Sequence, residues 1–210
     1  MQDGVVDPGA HNREAWDRLV QEGNEWSRPV STEEVVRARG GDWSIVLIGH
    51  EPVDRSWLPT DLTGKDVLCL ASGDAAFDVV FHPVSNLFAP DLAPVWRECF
   101  RVLRSGGTLL AGFLNPDVYL FDHEALDERG ELIVVHKLPY SDVTQYSAEE
   151  RATKFGAEAP LEYSHTLTDQ IGGQLAAGFV LTGFAEAPHH SNASADYLSH
   201  YFATRAVKPG

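Results

Sequence analysis

Cysteine, methionine and basic side chains are all scarce in this chain. Its 210 residues hold 2 Cys and 1 Met, and 16 Lys and Arg stand against 31 Asp and Glu, a formal charge of −15 at pH 7. Cys69 and Cys99 have no metal-ligand spacing, which excludes a disulfide framework and points to a reduced, cytoplasmic protein. The acidic balance argues against non-specific binding to nucleic acid or to anionic membranes. No run of about 18 apolar residues occurs and the N-terminus lacks a signal-peptide core, so neither a membrane span nor export is expected. There is no internal repeat and no low-complexity segment. What is present is 43% hydrophobic residues, in a length that suits one α/β domain with a sizeable core.

That core is written between Lys65 and Phe113. Asp66–Gly73 and Phe77–Asn86 are short, continuous apolar runs ending in small or turn-forming residues, the pattern of strands buried on both faces of a parallel sheet. A helical stretch, Leu92–Leu103, leads through the turn Arg104–Gly107 to a third run, Thr108–Phe113. Strand, helix, Gly turn and strand make a βαβ unit. The join between the first two runs is the anomaly. Asp74–Ala76 spans at most about 14 Å, whereas a parallel neighbour needs a crossover of about a dozen residues. As contiguous sequence the two runs are therefore not expected to be adjacent parallel strands. A hairpin, a strand shared with another molecule, or an omitted segment are the alternatives.

Around this centre, Met1–Ala10 reads as a loose leader. Asn12–Glu22 reads as a helix, with Trp16, Leu19 and Val20 on one face and Asn12 as cap. Ser31–Glu34 is a Ser-x-x-Glu capping box opening a helix to about Arg39, stopped by Gly40-Gly41. Ile45–Ile48 is a short extended run. Trp16, Trp26, Trp43 and Trp57 make residues 11–60 either a lid or simple packing on the sheet. Tyr119–Phe121 and Glu131–His136 look extended, with a turn at Asp127–Gly130. Residues 115–165 read as an insertion over the C-terminal edge of the sheet, where open α/β folds bind ligands. A helix follows from about Leu167, its Gly172-Gly173 pair indicating close approach to a backbone. Phe179–Phe184 and Tyr201–Val207 are the last strands. His189, His190, His200 and Asp196 sit in a Ser/Ala/Asn-rich stretch and read as a solvated loop rather than a metal site. Ser72 lacks a hydrolase elbow.

Asp66–Gly73, Phe77–Asn86 and Trp96–Phe113 resemble motif I, the fourth strand and the fifth strand of class I S-adenosylmethionine-dependent methyltransferases, and weaker similarity extends from about Asn12 to Pro209. The resemblance implies a Rossmann-like α/β fold over residues 1–210, closed by an antiparallel last strand. It also implies S-adenosylmethionine as cofactor and methyl transfer to a small-molecule acceptor. A block that the family places after motif I has no counterpart between Gly73 and Phe77, including the acidic residue that binds the ribose. The other reading is a non-catalytic relative that binds or dimerises through the edge left open at Asp66–Leu70.

On this resemblance, cofactor contacts fall to Ala71, Ser72 and Gly73, where small residues let the backbone approach. His82, Pro83 and Ser85 at the end of the second run, and Trp26 of the lid, join them. His82 and Asn86 are the catalytic candidates, His82 as a base with a pKa near working pH and Asn86 or Ser85 orienting the acceptor. The plainer alternative is that Pro83 shapes the turn, Asn86 caps it and His82 hydrogen-bonds within the fold. His165, Gln170 and Tyr119 are candidates for the acceptor side.

Overall fold

Continuous apolar runs become strands where both faces can be covered, and the two central strands are covered on both. A computed structural model of the chain describes residues 6–24, 27–69 and 76–210. Five strands form one sheet: β1 (Val67–Cys69), β2 (Phe77–His82), β3 (Leu103–Leu114), β4 (Val180–Ala187) and β5 (Tyr201–Val207), in the spatial order β1-β2-β3-β5-β4. β1, β2 and β3 are parallel, and β5 runs antiparallel between β3 and β4. The β5 strand has the bounds expected from the sequence.

The sheet corrects the expectation drawn from the short join. β1 and β2 are adjacent and parallel, with Val67 opposite Val79 and Cys69 opposite Phe81. The reason is length. The described pairing covers Val67–Cys69, and seven residues separate it from Phe77. Such a stretch reaches at most about 28 Å, more than the roughly 14 Å back to the start of β2 one strand away. β1 is also not buried on both faces. It is the edge of the described sheet, with Val67 46% exposed.

Alternation along the strands sorts the core into two layers. Val80, Leu109, Ala111 and Ala206 face helix α3 (Ala93–Val102), which turns Leu92, Trp96, Cys99 and Val102 toward them. Val79, Leu110 and Ala203 face the opposite layer, made by Leu47 and Leu58 with Trp43 and Trp57. Trp43 and Trp57 thus pack on the sheet. Residues 45–48 form no strand: apart from a bridge at Val46 they cross β3 at Gly112, where a Cβ would stand 2.5 Å from the Leu47 carbonyl oxygen. The turn expected at Arg104–Gly107 is a wide irregularity within β3, since Phe77 pairs with Leu103 and Val79 with Thr108.

Helix α1 (Pro8–Gln21) starts earlier than Asn12 because Asp7 caps it, accepting from the backbone of Gly9 and Ala10, with Pro8 at its first position. Its buried face is Asn12 and Ala15 rather than Val20, which is 55% exposed. Helix α2 (Thr32–Arg39) carries the complete capping box and buries none of its residues. Pro116–Leu120 is a 3₁₀ turn capped by Asn115, so Tyr119 is not in an extended run. Short helices α4 (His123–Arg129), α5 (Asp142–Gln145) and α6 (Ala148–Lys154) follow, and 131–136 makes only a bridge from Val134 to Phe121. The late helix is a π turn (Thr168–Gly172) running into the single α turn α7 (Gly173–Ala176). Among the described residues no helix is long and apolar enough to cross a membrane.

Candidate functional site

β1, β2 and β3 point their C-terminal ends to one edge, and the residues after β2 build that edge. Pro83 ends the strand. Asn86–Phe88 then forms a 3₁₀ turn in which the Asn86 side chain is 2% exposed. The Asn86 amide donates from Nδ2 to Gln170 Oε1 at 2.6 Å, so its Oδ1 is the acceptor facing His82 Nε2 at 2.7 Å. His82 therefore carries its proton on Nε2, leaving Nδ1 as the basic ring atom. Ser85 Oγ lies 3.4 Å from the same Nε2.

The chain of contacts continues inward. Gln174 Nε2 donates to the Gln170 carbonyl at 3.0 Å, and Thr204 Oγ1 of β5 donates to Gln174 Oε1 at 2.9 Å. Gln174 and Thr204 are fully buried. Trp96 lies edge-on to His82 with ring centroids 5.8 Å apart, and its indole N–H donates to the Asp169 carbonyl at 2.8 Å. The glycine pair allows this approach. A Cβ on Gly173 would stand 2.5 Å from Trp96 Cδ1, so the close neighbour is an indole rather than the backbone expected from the sequence. Burial pushes the His82 pKa below the ordinary histidine value, with the Asn86 hydrogen bond acting against it. Burial thus favours the uncharged ring.

His165 and Gln170 come to the same place but inward. The His165 Nε2–H is shared between the Ala89 carbonyl at 2.8 Å and the Asn86 carbonyl at 3.2 Å, pinning the turn after β2. Both side chains are buried, His165 at 7% and Gln170 at 3% exposure, and both support Asn86. Tyr119 belongs to a second cluster. Its ring stacks on Tyr140 at 4.9 Å and its hydroxyl donates to Glu162 Oε2 at 2.8 Å. Tyr140 in turn donates to Asp142, whose other oxygen accepts from the Glu162 backbone at 2.7 Å. Burial raises the Glu162 pKa, with the nearby Asp142 charge adding to it and the Tyr119 hydroxyl opposing. Burial also lifts the Tyr119 pKa well above its usual value. The backbone of Tyr163 donates to the Leu87 carbonyl at 2.8 Å, which joins this cluster to the turn that carries Asn86.

Trp26, Ala71, Ser72 and Gly73 lie outside the described residues. His189, His190 and His200 gather with His50, at ring separations of 4.6, 5.4 and 4.0 Å for the pairs 189–190, 189–200 and 50–190. No group among the described residues has the geometry to hold a metal ion. A groove of about 560 Å³ lies between α2 and Trp43, and no residue of β2, its following turn or the π turn lines it. Gln174, Thr204, Trp96 and Glu162 were not legible as site residues. Only the Gln170/Gln174 spacing of one helical turn hinted at a polar stripe.

A family model described as a methyltransferase domain matches residues 51–111. A Bacillus subtilis (strain 168) protein named uncharacterized methyltransferase YbaJ is 34% identical over 252 aligned residues, covering 95% of this chain and 98% of the relative. Those 252 positions exceed the 210 residues here, so the relative has internal residues without counterpart in this chain. Among solved structures, an S-adenosylmethionine-dependent methyltransferase from Mesorhizobium loti superposes with a TM-score of 0.44 at 14% identity, covering 84% of this chain and 77% of that one. One from Methanosarcina mazei gives a TM-score of 0.39 at 15% identity, covering 67% and 63%.

Proposed function

This chain belongs to the class I S-adenosylmethionine-dependent methyltransferase family, and from that premise we propose that it passes a methyl group from S-adenosylmethionine to a small-molecule acceptor at the ends of β2 and β3. The observation that carries the reading is the buried His82–Asn86–Gln170 chain, built at the strand ends where open α/β sheets bind ligands.

The described residues suit that cofactor in one specific respect. A sulfonium donor is cationic, and the side chains closing the end of β2 are neutral: an imidazole held uncharged by burial, two amides and a hydroxyl. A ring already protonated before transfer would repel the donor, whereas a proton taken up as the sulfonium charge is lost meets no such repulsion. His82, Pro83 and Ser85 are proposed to flank the donor, with Ala71, Ser72, Gly73 and Trp26 as proposed further contacts. When bound, S-adenosylmethionine supplies a methyl group already activated on sulfur, so the protein's share is proximity, alignment and exclusion of water.

In this reading each side chain has a definite task. Asn86 fixes the tautomer of His82 and so directs Nδ1 as the atom that takes a proton from an acceptor hydroxyl or amine. Gln170, with Gln174 and Thr204 behind it, holds the Asn86 amide in that orientation. His165 locks the turn through its carbonyls. Residues 115–165 form the acceptor side and residues 11–60 the cover, with Tyr119 held by Glu162.

Calorimetric titration with S-adenosylhomocysteine tests the reading. Micromolar binding is expected, weakened about tenfold or more by Asn86→Leu in protein whose circular dichroism is unchanged. Absence of heat up to millimolar ligand would overturn it and leave the non-catalytic binding reading in its place.

A further inference from the structure

We propose that the cavity between α1 and residues 142–161 is a binding site for a small zwitterion of the free amino-acid type, its ammonium on Asp142 and its carboxylate on Arg151. The cavity measures about 270 Å³, and its lining includes His11, Asp142, Ala152, Arg151, Phe155 and Leu161. That is below the roughly 300–1,000 Å³ of sites for drug-sized ligands, which restricts the occupant to a few non-hydrogen atoms.

Two opposite charges share this space without pairing. Asp142 is 5% exposed and has no ion-pair partner among the described residues. Its oxygens accept from Tyr140 and from the Glu162 backbone. A carboxylate has about four acceptor sites, so capacity remains. Arg151 donates one nitrogen to the Tyr146 carbonyl at 2.9 Å, leaving other donors of its fork. A simple cation placed here meets Arg151, and a simple anion meets Asp142. A molecule carrying both charges satisfies both. Phe155, 42% exposed, together with Leu161 and Ala152, offers an apolar bed for its side chain.

A second observation lies just behind. The Tyr163 hydroxyl is shut from solvent and has no hydrogen-bond partner, on a residue bridged to Ser141 next to Asp142 in the chain. Buried hydroxyls without partners are rare, and this one is a spare donor on the segment paired with residues 140–142. The site is also tied to the edge of the sheet. Asn12, next to His11, donates to the Phe88 carbonyl at 2.9 Å and to the Leu161 carbonyl at 3.0 Å, and accepts from the Leu161 N–H at 2.7 Å. One side chain thus joins a wall of the cavity to the turn that carries Asn86.

The proposal stands apart from the methyl-transfer reading and is tested on the whole protein by calorimetry with L-leucine. Binding is expected, and leucinamide and N-acetylleucine, each lacking one charge, should bind about tenfold or more weakly. Arg151→Gln should weaken leucine by a similar factor, and Ala152→Phe should abolish the heat by filling the cavity while the melting temperature is kept. Asp142→Asn should act like Arg151→Gln, and the other two variants decide the matter where that one fails to fold. Leucine heat should persist with S-adenosylhomocysteine in excess. Competition between the two ligands, equal binding of the blocked forms, undiminished binding in Ala152→Phe, or no heat up to ~10 mM leucine would each overturn the site.

Discussion

At the scale of single residues, the molecule turns on how tightly a few side chains are shut in. Gly172 and Gly173 are neighbours with opposite expectations. A Cβ at 173 would fall 2.5 Å from Trp96, whereas one at 172 finds Thr168 Cγ2 at 3.5 Å, an ordinary contact. Gly173→Ala should therefore cost about 1–3 kcal/mol by overpacking. Gly172→Ala should be neutral or stabilise by up to about 1 kcal/mol through helix propensity. Urea unfolding of the pair reads both signs. Asn86→Leu removes the partner of His82 and of Gln170 together, leaving two buried polar groups unpaired. A loss of about 2–4 kcal/mol is expected by the same measurement. In the sequence, His82 and Asn86 are visible as polar residues at the end of an apolar run, and His165 and Gln170 as polar residues at the start of the late helix. That they contact one another is not, because the contacts join positions as far apart as 84 residues.

At the scale of elements, local signals held where they are satisfied locally. The Ser31–Glu34 capping box opens α2 where the spacing places it, since both hydrogen bonds lie within four residues. Helix α2 buries nothing, so its cap matters only to itself. Ser31→Ala should speed amide hydrogen exchange across Glu34–Arg39, a local loss of about 1 kcal/mol, while the global melting temperature stays unchanged. A fall in that temperature would mean that α2 is part of the cooperative core. Elements that depend on partners were read less well. Ile45–Ile48 has strand-forming residues yet pairs only through the bridge from Val46 to Pro52, and it crosses the sheet over Gly112 instead of joining it. Val67–Cys69 has the apolar run of a central strand and ends up at an edge. Neither outcome is encoded within the segment.

At the scale of the whole molecule, the distribution of histidines sets a pH dependence. His82, His123, His136, His165, His189 and His200 all have pKa values pushed below the ordinary histidine value, burial being the leading cause for each. In the unfolded chain they bind protons at a higher pH than in the fold. Their contribution to stability is thus complete above about pH 6.5 and is lost as pH falls toward the lower folded values. Glu162, raised by burial, acts with the opposite sign, but it is one group against six. The melting temperature should fall steadily from about pH 7.5 to about pH 5.5, as read by circular dichroism. A flat profile would mean that these rings are accessible to protons in the folded protein. The charge of −15 works the other way, since protonation relieves self-repulsion, so a net fall isolates the burial effect.

The class of fold, the bounds of β5, the helix–strand unit that ends in β3 and the family resemblance are all readable from the order of residues alone. These rest on short-range periodicity and on turn chemistry that neighbouring residues supply. The pairing of β1 with β2 emerges only in three dimensions, because adjacency depends on which residues of two separate runs come into register. The fold likewise sets the surroundings of His82, whose ring joins a chain of amides and whose pKa burial lowers. A pKa depends on burial and on partners brought from distant segments, which no local pattern records.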